Sequence, residues 1–177
     1  MTFREVYDEH FRFVRRSLRR LGVPERDVDD ATQDVFLVVA RSLASFEGRS
    51  KLTTWLFGIC LRVAKDRRGS AYERRRADAP HGLAEQPDER ADAATELERR
   101  RRMATLERLL DELPLEQRAV FTLFELEGMP GDDIAEALGI PPGTVSSRLR
   151  LAREAFRRAV ARLEARDTFL ETARGAR

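Results

Sequence analysis

The sequence predicts an all-α protein of two small helical domains joined by a flexible linker. Three observations carry that expectation. Apolar residues recur at three- and four-residue steps over most of the chain, and no stretch alternates as a strand would. Between Ser70 and about Asp92 the composition changes: Pro80, Pro87 and Gly82 stand among many charges with almost no large apolar residues. Near the other end, Pro130–Arg158 reads PGDDIAEALGIPPGTVSSRLRLAREAFRR. Two helical patterns there flank a tight break at Gly139, Ile140 and Pro141, the outline of a helix-turn-helix. The expected divisions are 1–69, a linker over 70–92, 93–166, and a tail over 167–177.

The first helix is expected over Thr2–Leu21, with Phe3, Val6, Tyr7, Phe11, Val14, Leu18 and Leu21 on its apolar side. Thr2 followed three residues later by Glu5 is a capping-box arrangement, and Gly22 with Pro24 ends the helix. A second helix over Glu25–Leu43 takes Val28, Ala31, Val35, Leu37, Val38 and Ala40 as its apolar side. Asp27 and Asp29 near its start suit the helix dipole; Gln33 and Asp34, mid-helix beside Phe36, have no such account. A break over Ala44–Lys51 contains Phe46 and Gly48. The third helix, Leu52–Arg68, carries Trp55, Leu56, Ile59, Leu61, Val63 and Ala64 and ends in a basic turn that also fits a plain dipole complement.

After the linker, a helix over Ala93–Leu113 stops at Pro114. Leu115–Glu127 follows, with Gly128 as its C-cap. In the last helix Val145, Leu149, Ala152, Phe156, Val160 and Leu163 fall within roughly 80° of one another, an apolar stripe. Ser146, Arg150, Arg153 and Arg157 lie about 80–140° from Val145 and face elsewhere. Pro141 or Pro142 suits the first turn, and Gly143 and Thr144 leave N–H groups open where the dipole favours phosphate. The tail after Arg166 either frays or packs one more turn through Phe169 and Leu170.

Charge separates the two motif helices. Thr105–Gly139 holds two Arg against nine acids; Pro141–Arg166 holds seven Arg against two acids. The sign therefore changes at the turn, as expected if only the second helix faces nucleic acid, although a solvated basic face is the plainer alternative. The overall net charge of +2 decides nothing. Only Lys51 and Lys65 among 33 basic residues are lysine, a bias that fits a GC-rich genome as well as phosphate binding.

Cys60 is the only cysteine and sits in the apolar run WLFGICL, so no intramolecular disulfide or cysteine-rich metal site is expected. His10 and His81 have no ligand-type neighbours, and neither a metal nor a cofactor is expected. No catalytic constellation, membrane span or secretory signal is apparent, and the expected location is the cytoplasm.

Two separated blocks carry a resemblance to the extracytoplasmic-function (ECF, group IV) sigma factors of the bacterial sigma-70 family. LPLEQRAVFTLFELEGM followed by DDIAEALGIPPGTVSSRLRLAR is similar to sigma region 4. DVDDATQDVFLVV and FEGRSKLTTWLFGICLRVAKDRR resemble region 2. The resemblance implies a non-enzymatic promoter-specificity subunit. Such a subunit binds the β′ clamp helices and β flap of core RNA polymerase, directs it to −35 and −10 promoter elements and helps to open the DNA.

On the −35 side the matching positions are Thr144, Ser146, Ser147, Arg148, Arg150 and Arg153, with Arg157 and Arg158 nearer phosphate. Periodicity independently exposes Ser146, Arg150 and Arg153. On the −10 side they are Phe46, Arg49, Lys51, Thr54 and Trp55, with Arg62, Lys65, Arg67 and Arg68 along the duplex. Trp55 fits a core role equally well. The polymerase contact matches Asp30, Gln33 and Asp34, with Phe36 nearby. The family is commonly held inactive by an anti-sigma factor, and its linker threads the polymerase channel. Pro130, Ser146, Leu151 and Val63 depart from common family residues. A stand-alone helix-turn-helix regulator and a protein-binding helical adaptor are the competing readings; the region 2-like block argues against the first.

Overall fold

The computed structural model describes residues 1–48, 50–74 and 93–175. Its helices are α1 (Phe3–Arg20), α2 (Glu25–Ser42), α3 (Leu52–Arg74), α4 (Ala93–Asp111), α5 (Leu115–Phe121), α6 (Gly131–Leu138) and α7 (Pro142–Gly175). A 3₁₀ turn, Leu43–Ser45, follows α2, and a π-helical turn, Thr122–Leu126, continues α5. The described residues include no strand, as the periodicity requires. Most of the predicted linker lies outside the described residues.

Helices α1, α2 and α3 pack on one another. The start of α1 is the predicted capping box: the Glu5 N–H donates to Thr2 Oγ1 at 3.3 Å and the Thr2 N–H to Glu5 Oε2 at 2.8 Å. The Thr2 backbone bond is the main reason the Glu5 carboxyl sits below its ordinary pKa. Val14 and Leu18 of α1 bury against Val28, Val35 and Val39 of α2 and Leu56, Phe57 and Cys60 of α3. Burial pushes the Cys60 thiol pKa up. Helix α3 runs on through Gly69, past its predicted end at Arg68. One glycine costs a helix only about 1 kcal/mol, too little to stop it.

The predicted helix Leu115–Glu127 is two pieces. After Phe121 the winding loosens, and the Glu127 N–H donates to Thr122 O at 3.0 Å, five residues back. Helix α6 then starts at Gly131 without a side-chain cap, because Pro130 occupies the cap position; Asp132 and Asp133 supply negative charge to the first turn. Gly139 ends α6 with φ +61° and ψ +37°. The Ile140 N–H donates to Ala135 O (3.0 Å) and the Gly139 N–H to Glu136 O (3.2 Å), a Schellman closure that requires the left-handed residue. Pro142 is the first residue of α7, which continues without interruption across the predicted tail boundary at Arg166.

The two blocks share a core. Ala119, Val120, Leu123, Met129, Ile134, Ala135, Val145 and Leu149 join the same buried cluster as the N-terminal helices. A Cβ on Gly58 of α3 would lie 3.4 Å from Ala137 O of α6, so the backbones approach closely there. A smaller cluster of Leu110, Leu113, Phe121 and Ala152, with Phe156 stacked on Phe121, holds α4 and α5 to α7.

Arg118 of α5 is the largest fully buried side chain. It donates to the main-chain oxygens of Arg19 (3.1 Å) and Arg20 at the end of α1 and pairs with Asp111 at 2.5 Å. Nearby, Glu127 pairs with Arg16 (3.5 Å) and Arg20. Burial lowers the Arg20 guanidinium pKa, and Glu127 opposes that.

Candidate nucleic-acid interface

Helix α7 presents its two faces as the sequence predicts. Val145, Leu149 and Ala152 are buried. Ser146, Ser147, Arg150, Arg153 and Arg157 are exposed, and Thr144 and Arg148 are partly covered. Both serine hydroxyls turn back onto the helix, Ser146 Oγ donating to Pro142 O (3.2 Å) and Ser147 Oγ to Thr144 O (3.0 Å). Arg150 pairs with Glu154 one turn on, at 2.8 Å, and Arg157 Nε donates to Arg153 O at 3.2 Å. Arg153 Nε donates across to Glu125 Oε1 at 2.6 Å, and its guanidinium lies over the Phe124 ring, 5.1 Å from the centroid. Exposed ion pairs of this kind are worth about 0–1 kcal/mol, so they do not keep these arginines from DNA.

The predicted −10 residues are only partly together. Phe46 and Trp55 lie with ring centroids 5.1 Å apart and line an open hollow of about 240 Å³ with Ser45, Glu47, Gly48 and Ser50. That volume is below the range for drug-sized ligands. Trp55 is half-buried, both packed against the core and forming a wall of the hollow. Lys51, Arg62 and Lys65 are exposed.

Two members of the set are placed otherwise. Thr54 is buried, at 2% exposure, with its hydroxyl 3.7 Å from Met129 Sδ of the C-terminal block; DNA cannot touch it in this arrangement. Arg67 turns to α2, donating to Asp34 Oδ2 (Nε, 3.1 Å) and to Asp27 O (3.5 Å). Arg49 and the Arg68 side chain lie outside the described residues.

On α2, Asp30 and Gln33 are exposed and Asp34 is partly so. Phe36 is not on that surface. It is 4% exposed and packs with Phe3, Tyr7 and Phe11 of α1, its centroid 4.6 Å from that of Tyr7. Leu37, expected on the apolar side, is instead 54% exposed. The signal was available: Leu37 lies roughly 180° from Val28, at the centre of the arc formed by Asp30, Gln33 and Asp34.

Comparison with known proteins matches residues 6–75 to Sigma-70 region 2 and residues 103–156 to Sigma-70, region 4. The RNA polymerase sigma-H factor of Pseudomonas aeruginosa is 33% identical over 147 residues, spanning 76% of this chain and 74% of that protein. This chain belongs to the sigma-70 family, as an ECF sigma factor. The ECF RNA polymerase sigma-E factor of Haemophilus influenzae is 36% identical over 142 residues, covering 75% of this sigma factor and 74% of its own length.

Among solved structures, CnrH in complex with the cytosolic domain of CnrY matches 92% of this sigma factor and 88% of the CnrH chain, with 26% identity and a TM-score of 0.62. RpoE of Bartonella quintana, in complex with the anti-sigma factor NepR, shares the fold with a TM-score of 0.66 over 90% of this chain and 96% of its own, at 21% identity. The sigma factor is therefore a promoter-recognition subunit of RNA polymerase. Among the described residues, no helix is long and apolar enough to cross a membrane.

Proposed function

We propose that α7 reads the −35 element in the major groove through Ser146, Arg150 and Arg153. Arg148, Arg157 and the side chains of Thr144 and Ser147 hold phosphate; the Thr144 N–H, expected to be open, donates to Pro141 O, as does the Val145 N–H, and neither takes part. An arginine fork on guanine O6 and N7 contributes about 1–3 kcal/mol of discrimination. The hollow lined by Phe46 and Trp55 receives a base drawn from the −10 strand, and Lys51, Arg62 and Lys65 neutralise its backbone. A stacked base is worth about 1–3 kcal/mol. Contact through Thr54 requires the two blocks to part at Met129.

The face of α2 made by Asp30, Gln33, Asp34 and Leu37 docks on the β′ clamp helices of core polymerase, and the C-terminal block engages the β flap. The chain works in the cytoplasm, carries no catalytic centre and needs no cofactor. An anti-sigma factor holds it inactive; RpoE of Bartonella quintana, which shares the fold, is solved in complex with the anti-sigma factor NepR.

The observation that carries this reading is the pairing, in one chain, of an outward basic helix face with an open aromatic hollow on the other block. The test is run-off transcription with purified core polymerase over a genomic promoter library. Start sites sharing −35 and −10 sequences are expected. Phe46→Ala should reduce permanganate reactivity of the −10 strand with less effect on closed-complex binding. Absence of any promoter-dependent transcript would sink the proposal.

A further inference from the structure

We infer that Glu125, which lies off the recognition helix, is a positioning residue for base reading by Arg153. The inference rests on the assignment of α7 to the −35 element. Arg153 differs from its neighbours in where its partners come from. Arg150 meets Glu154 of the same helix, a pairing common to any helix surface. Arg153 is held by the π-helical turn: Glu125 Oε1 accepts from Nε at 2.6 Å, and the Phe124 ring lies under the guanidinium at 5.1 Å. That turn is anchored by Leu123, which is wholly buried, and by Phe124, which packs on the shared core.

The two contacts do different things. The ring sets the plane of the guanidinium, and the carboxylate sets its direction along that plane. With Nε engaged by Glu125, Nη1 and Nη2 form the end of the fork and remain for the two acceptors of guanine, O6 and N7. An arginine otherwise surrenders its rotamer freedom on binding; here part of that loss is met before DNA arrives.

The pair is not there for stability. Its side chains are 45% and 33% exposed, and such pairs are worth little. A carboxylate facing the groove also repels phosphate, which weakens binding to every sequence alike. Glu125 therefore trades general affinity for discrimination, and the two effects have opposite signs on its removal.

The experiment uses holoenzyme reconstituted with core polymerase and promoter duplexes randomised over the −35 element. Arg153→Ala is expected to erase preference at one or two adjacent base pairs. Glu125→Ala should lower discrimination at those same positions by about 3–10-fold, the immobilisation cost of one long side chain. At the other positions it should leave preference intact, and it should bind non-specific duplex at least as well as the wild type. Glu125→Gln keeps an oxygen acceptor and should retain most of the discrimination.

If Glu125→Ala keeps wild-type preference at the Arg153 positions, or loses preference equally at all positions, the inference is wrong while the −35 assignment stands. If Arg153→Ala itself changes no position in particular, the assignment of Arg153 fails and the inference with it.

Discussion

Replacing Arg118 tests whether the two blocks of this sigma factor are joined by packing or only by proximity. The side chain is 0% exposed and satisfies the last carbonyls of α1 from a different block. Helix ends leave such carbonyls without intrahelical partners. Methionine fills much of the same volume and removes the donors. Arg19 O keeps the Gly22 N–H at 2.9 Å, so the principal loss is at Arg20 O. One buried unsatisfied acceptor costs about 1–3 kcal/mol.

The ion pair with Asp111, whose side chain is 63% exposed, adds at most about 1 kcal/mol. Arg118→Met should therefore destabilise by roughly 1–4 kcal/mol, and Arg118→Ala by more, through the cavity it leaves. Removing a buried charge is often neutral when its partner goes too, but here the partners are main-chain oxygens and remain. Urea unfolding followed by helical circular dichroism reads the loss. Fluorescence of Trp55, the only tryptophan, reads the N-terminal block separately. Wild type should give coincident transitions, and Arg118→Met should shift both. A shift below about 0.5 kcal/mol, or a change in one probe alone, would refute the account of Arg118 as the joint between blocks.

Three further outcomes follow from the same structure. Gly139→Ala places a Cβ on a residue at φ +61° and should cost about 1–2 kcal/mol, measured as a lowered urea midpoint with unchanged slope. Cys60 should resist Ellman's reagent at pH 8 and react only as the chain unfolds. Because burial raises its pKa in the folded state, the unfolded chain loses that proton first as pH climbs through the ordinary thiol range, and this contribution to stability declines with rising pH. Leu37→Glu should leave the melting temperature within error, the side chain being exposed, yet weaken core polymerase binding by roughly tenfold in a competition assay; unchanged binding would remove α2's outer face from the interface.

What could be read from the chain alone divides along a physical line. The capping box at Thr2, the stop at Gly22 and the turn at Gly139 depend on residues close in sequence, and each forms as expected. Periodicity also separated the buried stripe of α7 from its arginine face. Phe36, Thr54 and Arg118 were beyond that reach. A helical wheel says which side turns inward but not which element covers the rest. Phe36 is buried because α1 brings three aromatics to it, and Thr54 because Met129 arrives from 75 residues away. Arg118 is one of two arginines in an acidic segment, and its acceptors are main-chain oxygens, which leave no mark on a sequence. Leu37 is the exception, since its angle opposite Val28 was legible and its apolar character misdirected the reading.

The π-helical turn at Thr122–Leu126 makes the C-terminal block sensitive to chain length rather than to composition. It holds one residue more than regular winding would, and each residue turns a helix by about 100°. Deleting a single residue there would alter neither charge balance nor hydrophobic content to any extent, yet would rotate Glu127 and everything after it by that angle relative to α5. Met129 would leave Thr54, and α6 would present a different edge to Gly58. Point substitutions in this stretch perturb one contact at a time; an insertion or deletion changes the phase of the whole recognition unit.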